Sequence, residues 1–299
     1  MELDLYRKLT TSTASVAKPC SYDLQPESGA CFEDWLEKRG RKLFLLGLQL
    51  PDVYWQASQP EQPINDVTVF LDKMQKDCGS KSILMISFGT VFFPVQYWIL
   101  EALVDCLVKA EIPTLFVQAS PFAKAMPDQG ERIKKKLEET GRGLVAEWIQ
   151  QDLVLRHPAV GSVLSHGGHG STTETLLNGL PLLLWPFAVS GTNHIECALI
   201  IIQGDQPLNS AFISKTLGAG LEFLQVRDTI VGEKMFNYPD VQVKASLESI
   251  TEEFTRVFGS LQGPGNQLMR DNAVRVGQRL RAEHDEKMPT YFDKLLQAM

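Results

Sequence analysis

From Ser82 to Phe187 the chain alternates between short apolar runs and segments with helical periodicity. Strands that are apolar on both faces and that alternate with helices are typical of parallel sheets covered on both sides. The pattern therefore predicts an α/β fold. The expected strands are ILMISF (83–88), TLFVQA (114–119), LVAEW (144–148), GSVLS (161–165) and PLLLWPF (181–187), and the expected helices include 94–109 and 130–140.

The two ends of the chain differ from this middle part. The tail predicts helices at 246–258, 266–284 and 291–299. Before residue 80 we expect only a helix in CFEDWLEKRG, a strand in KLFLLGL and a linker in ASQPEQPIND. Residues 1–79 have too little apolar periodicity to form a hydrophobic core of their own. The prediction is one main domain at 80–299, preceded at 1–79 by a linker and by what the family resemblance described below implies to be a remnant of an N-terminal acceptor domain.

Composition restricts the partners and the compartment. The formal net charge is −7 and the pI is about 5.4, which argues against a general nucleic-acid or membrane-surface binder. No apolar run approaches the roughly 20 residues that span a bilayer, so no stable membrane insertion is expected. MELDLYRKLTTS does not resemble a signal peptide, and five cysteines without CxxC spacing favour a reducing, cytoplasmic compartment.

The segment SHGGHGSTTE (165–174) is the clearest candidate for a binding site. A strand, a glycine-rich turn and a helix starting near Ser171 would present free backbone N–H groups and the positive end of the helix dipole to an anion. His166 can add a directed donor. Ser171 and Glu174 also fit a capping box, so the alternative is a plain capped helix after a tight turn. No Gly-Lys-Ser/Thr follows, so this is not a Walker loop.

Three histidines in this region raise the question of a metal. His157, His166 and His169 could be imagined as zinc ligands, but no cysteine or second carboxylate joins them at metal-binding spacing. We therefore expect no metal and no cofactor.

The wider segment WIQQDLVLRHPAVGSVLSHGGHGSTTETLLNGLPLLLWPF resembles the donor-binding signature of the UDP-glycosyltransferases, the family-one enzymes of the GT-B fold. ILMISFGT, LMRDNAVRVGQRL and LFLLGLQLP resemble further family segments, so the likeness covers about residues 40 to 285. Within the signature the positions in register are Trp148, Gln151, Leu155, His157, Gly161, His166, Gly168, Ser171, Glu174, Gly179, Pro181, Trp185 and Pro186.

The resemblance implies the Rossmann-like C-terminal domain of a GT-B enzyme, with a role for each matching residue. Trp148 would stack on uracil, the alternative being a core tryptophan, while Gln151 and Glu174 would bind the uridine and its ribose. The remaining implied donor-binding residues are His166, Gly168, Ser171 and the backbone of His169 and Gly170 at the diphosphate, Ser87 and Thr90 on the facing loop, and Asp205 and Gln206 at the sugar. His169-Gly170 replaces the family's Trp-Asn pair, so one side-chain phosphate donor is missing.

The Asp-Gln pair is displaced in this chain. Deleting residues 189–203 restores the family spacing as WPFAGDQPLNS. The extra segment begins with Val-Ser, which GTAAGT can encode, and ends with Gln, which CAG can encode. We hypothesise that it is a short translated intron, and the alternative is a true surface-loop insertion. His194 and Cys197 lie inside it and receive no role.

The family's acceptor-activating histidine has no counterpart, because the first histidine of this sequence is His157. No catalytic residue is therefore assigned. The leading hypothesis is the donor-binding half of a transferase that moves a hexosyl group from a UDP-sugar to a hydroxyl of a small lipophilic acceptor, with inversion. The alternatives are a non-catalytic UDP-sugar-binding fragment or pseudoenzyme, and the donor subunit of a split enzyme whose acceptor domain is a separate polypeptide.

Overall fold

The structure is a computed structural model in which the chain forms two compact units. The first unit consists of Met1–Gln56 together with Arg275–Met299, and the second consists of Ala57–Val274. Each unit is described by itself. The described residues are 15–18, 26–56, 63–91, 93–94, 96–125, 127–187, 205–227, 231–232, 234–235, 238–261 and 263–298.

The first unit contains a small β-α-β arrangement. Strand β1 (Ser15–Lys18) pairs in parallel with β2 (Lys42–Leu45), and helix α1 (Pro26–Glu37) lies between them in sequence. A 3₁₀ turn follows at Asp52–Tyr54. The tail is tied to this turn, because the Trp55 ring stacks on His284 with centroids 3.8 Å apart. Helix α1 confirms the helix predicted in CFEDWLEKRG, and strand β2 confirms the strand predicted in KLFLLGL.

The second unit is built on a six-stranded parallel sheet in the order β5-β4-β3-β6-β7-β8. Each central strand is buried along its length, as the apolar runs predict. The α/β fold class is confirmed. The strands are β3 (Ile83–Ser87), β4 (Thr114–Val117), β5 (Gly143–Ala146), β6 (Val160–Ser165), β7 (Leu182–Leu184) and β8 (Gly220–Glu222), with a separate antiparallel pair, β9 (Lys234–Met235) and β10 (Tyr238–Gln242).

Helices connect these strands. Leu84 and Ile86 belong to an apolar cluster with residues of α3, α5 and α9, and the alternate residues Ile83 and Met85 point to the opposite face. The helices are α2 (Asp66–Cys78), α3 (Tyr97–Lys109), α4 (Pro121–Lys124), α5 (Pro127–Glu138), α6 (Gln151–Arg156), α7 (His169–Leu177), α8 (Gln206–Ala211), α9 (Leu247–Ser260) and α10 (Pro264–Ala298), with a π-helical turn at Phe212–Thr216 after α8.

Helices α2 and α10 show clear differences from the expectation. Helix α2 was not predicted, although it has a reciprocal capping box in which Asn65 accepts from the Thr68 N–H and Thr68 accepts from the Asn65 N–H. Helix α10 is one continuous helix where two were expected, and it carries Pro289 in its interior. Among the helices that the structure describes, none combines the length and apolar character needed to cross a bilayer.

The LMRDNA segment of α10 fastens loops within the second unit. The Arg270 guanidinium donates to the Lys81 carbonyl (3.1 Å), and the Asn272 carboxamide donates to the Gly218 carbonyl (2.9 Å). Gly218 has a φ of +59°, a value that favours glycine. These contacts give the segment a structural role.

The predicted insertion 189–203, with His194 and Cys197, lies outside the described residues, and its origin as an intron or a loop stays a prediction. The division at residue 79 also stays a prediction, because compact units describe packing and carry no information on the ancestry of a segment.

Candidate functional site

The candidate site lies at one edge of the sheet. Ser87 ends β3, Trp148 follows β5, and His166 follows β6 directly. The carboxyl ends of parallel strands meet at the same edge, where open α/β sheets bind their ligands. The fold thus gathers three predicted site residues that are far apart in the sequence.

The glycine turn and the start of α7 differ from the predicted capping box. Helix α7 begins at His169, with Gly168 as an N-cap that has no side-chain capping bond. Ser171 therefore lies inside the first turn, where its side chain cannot cap, and the predicted capping box with Glu174 is wrong. Gly167 has a φ of +84°, which explains why this turn needs glycine.

The His166 ring is buried against the glycine turn. A Cβ on Gly89 would lie 3.0 Å from its Cε1, and a Cβ on Gly168 would collide with its Nε2. Burial lowers the pKa of His166 to about 4, although the Asp205 carboxylate acts to raise it. At neutral pH His166 is therefore an uncharged imidazole. Its Nδ1 is 3.5 Å from the Ser165 hydroxyl, which in turn lies 3.4 Å from the Gly167 N–H.

Gln151 and Glu174 form a direct pair. The Gln151 Nε2 donates to the Glu174 Oε2 at 2.5 Å, which joins the first residue of α6 to the middle of α7. This bond orients the carboxylate, and the family resemblance assigns the same two residues to the uridine and its ribose.

Trp148 is 72% exposed, which excludes the alternative of a core tryptophan. Its side chain borders a cavity of about 570 Å³, whose other walls include Asn65, Thr68, Ile149 and Gln150. Small-molecule sites typically have volumes of about 300–1,000 Å³. The space beside the indole is therefore large enough for a flat ring.

Asp205 and Gln206 lie beside the glycine turn, but their side chains point in different directions. The Asp205 Oδ2 accepts the His169 N–H at 3.1 Å, so a carboxylate already occupies a donor at the start of α7. Gln206 is 1% exposed and its Oε1 accepts the Phe187 N–H at 3.1 Å. Of the predicted pair, only Asp205 is directed at the helix start.

The remaining predicted positions flank this centre. Ser87 is buried and its hydroxyl accepts the Gly89 N–H at 3.4 Å, whereas Thr90 is exposed. A Cβ on Gly170 would meet no atom within 4 Å, so this backbone is open to a ligand. Ser171 is half-buried in the first turn of α7.

His157 lies away from this edge, just before β6 begins. Its Nδ1 accepts the Ala159 N–H at 3.2 Å, and its Nε2 lies 3.2 Å from the Asp72 carboxylate. The imidazole thus has a structural role between α2 and the sheet. Within the ranges described above, no group of three or more His, Cys, Asp or Glu residues could hold a metal ion.

Comparison with known proteins decides the family. The sequence profile of the family described as "UDP-glucoronosyl and UDP-glucosyl transferase" matches residues 50–198, about half of the chain. The chain belongs to the UDP-glycosyltransferase family. This confirms the resemblance read from the residues. The profile match ends inside the predicted insertion 189–203.

Curated relatives of this UDP-glycosyltransferase come from a fungus and from plants. UDP-glycosyltransferase eriJ of Hericium erinaceus is 27% identical over 256 residues, which are 84% of this chain and 45% of that protein. The 7-deoxyloganetic acid glucosyltransferase of Catharanthus roseus is 32% identical over 155 residues, which are 50% of this chain and 29% of the relative. The chain spans less than half the length of each of these two relatives.

Solved structures share the fold. Os79 from O. sativa in complex with UDP has a TM-score of 0.67 and 23% identity, over 95% of this chain and 56% of that one. Glycyrrhiza uralensis UGT73P12, complexed with glycyrrhetinic acid 3-O-monoglucuronide, has a TM-score of 0.68 and 21% identity, over 99% and 56%. These likenesses establish the GT-B type of α/β architecture.

One residue at this site received no role from the sequence. Asn209 donates to both the glycine turn and Asp205. It lies in the D-Q-x-x-N segment that matches the family, so a signal was present, but nothing in the sequence indicates what its carboxamide contacts.

Proposed function

We propose that this chain binds a UDP-sugar at the carboxyl edge of its sheet, as the donor-binding part of an enzyme that transfers a hexosyl group to a hydroxyl of a small lipophilic acceptor with inversion. The observation that carries the proposal is the meeting of the Gln151–Glu174 pair, His166 and the start of α7 at one edge. A cytoplasmic location and the absence of a metal belong to the same proposal.

The uridine end would bind between Trp148 and Glu174. Stacking of a base on an aromatic ring contributes about 1–3 kcal/mol, and the exposed indole of Trp148 offers such a face. The Glu174 carboxylate is oriented by Gln151 and can accept hydrogen bonds from vicinal ribose hydroxyls.

The diphosphate would bind at the first turn of α7, with the open backbone of Gly170 and the Ser171 hydroxyl as donors. His166 is neutral at pH 7 and would donate one hydrogen bond to the leaving diphosphate without adding a charge. A donor placed where charge develops accelerates transfer. No residue of this chain is assigned as the base that activates the acceptor.

Calorimetric titration of the purified chain with UDP tests the proposal. We expect Trp148→Ala to weaken binding by roughly ten- to a hundredfold, as the loss of base stacking predicts. Trp98→Ala is the matched control, because Trp98 is also partly exposed but does not border the cavity beside Trp148. A variant lacking residues 189–203 is titrated in parallel.

The outcomes separate the hypotheses. Binding by the deletion variant but not by the full chain would indicate that the insertion spoils the site. Absence of UDP binding in both would refute the proposed function. Where UDP binds, sugar transfer by the purified chain excludes the pseudoenzyme, whereas transfer that needs a second polypeptide identifies a split enzyme.

A further inference from the structure

Helix α8 packs directly on the glycine turn. A Cβ on Gly167 would lie 2.6 Å from the Ser210 hydroxyl and 3.1 Å from the Gln206 carbonyl oxygen, so the turn and the helix are in close contact. Ser210 and Gln206 are both fully buried. The position of the turn therefore depends on the residues that α8 places against it.

Asn209 uses the same nitrogen for two contacts at this junction. Its Nδ2 donates to the Gly167 carbonyl at 2.9 Å and to the Asp205 Oδ2 at 3.1 Å. A primary amide has two N–H donors and can make both bonds at once. Asp205 Oδ2 also accepts the His169 N–H, so two donors on different segments hold one carboxylate oxygen.

We infer that Asn209 is a positioning residue for donor recognition: it fixes the Asp205 carboxylate against the glycine turn and the start of α7. The inference rests on the proposed function and on the family resemblance, which implies that Asp205 lies at the sugar of the donor. With Oδ2 held from two sides, the direction of the second oxygen is set for a sugar hydroxyl. Gln206 cannot replace it while its carboxamide is buried against Phe187.

The expected effect is larger for binding of the sugar than for binding of the nucleotide. A hydrogen bond to a charged group contributes enough to change an equilibrium constant roughly ten- to a hundredfold. Removing both donors of Asn209 should raise the ratio of the Kd for UDP-glucose to the Kd for UDP by that factor. The Kd for UDP itself should change by a smaller factor, because the Trp148 and Glu174 contacts do not involve α8 and only the diphosphate lies beside the turn that Asn209 contacts.

The experiment measures both dissociation constants by calorimetry for the full chain, Asn209→Ala and Asn209→Leu. The leucine variant keeps the branched shape of asparagine, with the same number of side-chain heavy atoms, and removes its donors. Asn272→Ala is the matched control, since Asn272 also donates from Nδ2 to a glycine carbonyl at 2.9 Å, but in the turn before β8. We expect it to lower the melting temperature and to leave the Kd ratio unchanged.

A double variant shows whether Asn209 acts through Asp205. If it does, Asp205→Asn raises the ratio on its own, and adding Asn209→Ala changes it little further. An additional tenfold change in the Asp205→Asn background would overturn the inference. So would an unchanged ratio in an Asn209 variant that still binds UDP, or an equal loss for both ligands. If neither the unmodified chain nor the variant lacking residues 189–203 binds UDP, the proposed function fails and the inference fails with it. If only the deletion variant binds, the Asn209 substitutions are measured in that variant.

Discussion

Replacing His166 with glutamine is expected to remove a pH dependence of folding stability between about pH 4 and pH 6.5. The pKa of His166 is lowered from 6.5 to about 4 in the folded chain, chiefly by burial, while the nearby Asp205 carboxylate opposes this shift. As the pH falls below 6.5, the unfolded chain binds a proton at this position and the folded chain does not. The contribution of His166 to the free energy of unfolding therefore decreases as the pH falls from 6.5 to about 4, and it is constant above pH 6.5.

The magnitude follows from the two pKa values. At about 1.4 kcal/mol per pH unit, the full difference is about 3 kcal/mol. Between pH 7 and pH 5 the contribution of His166 is about 2 kcal/mol, because the unfolded histidine is almost fully protonated at pH 5 and the folded one is not.

Urea unfolding followed by tryptophan fluorescence at pH 7, 6 and 5 gives the required free energies. The unmodified chain should lose about 2 kcal/mol more than His166→Gln between pH 7 and pH 5. All other titrating groups are common to both proteins, so their contributions cancel in the difference. If the two stability curves run parallel over this range, the neutral, buried imidazole is refuted.

Other substitutions test the glycine turn and the far edge of the sheet. Gly168→Ala should displace the His166 ring and weaken UDP binding at least tenfold, whereas Gly259→Ala, in the last turn of α9, should leave binding unchanged and raise the free energy of unfolding by up to about 1 kcal/mol. Equal UDP titrations for the two alanine variants would contradict this reasoning. Arg227→Met should destabilise the chain by about 3–5 kcal/mol, since it leaves the buried Glu222 carboxylate without its guanidinium. Denaturant unfolding should show partial recovery in the double variant with Glu222→Met, and no recovery would count against the ion pair.

The sheet could be predicted from the sequence because apolar runs such as 83–88 allow few other structures. Helix α2 could not be, since its capping pair Asn65–Thr68 is not the Ser/Thr-Glu pattern that signals a helix start. The start of α7 was placed two residues late for a related reason. A glycine N-cap leaves no side-chain signal, and Ser171 drew attention to the wrong position.

The sequence predicted which residues belong to the candidate site better than it predicted the contacts between them. The resemblance supplied Gln151 and Glu174, but only the fold places them 2.5 Å apart. Roles that depend on bonds between distant segments, such as Asn209 with Gly167, cannot be read from spacing. The same holds for Asn272, whose partner Gly218 is far away in the sequence.

The hydrogen bond between Phe187 and Gln206 has a consequence for the number of residues that the chain can carry between them. It joins two described residues that flank positions 188–204, and the entropy of closing a loop grows only slowly with the length of the loop. Each doubling of a loop costs about 0.6 kcal/mol. Removing residues 189–203 spans fewer than three doublings, a change of less than about 2 kcal/mol. As far as loop-closure entropy is concerned, the Phe187–Gln206 bond can therefore form with or without the fifteen residues 189–203 between its ends.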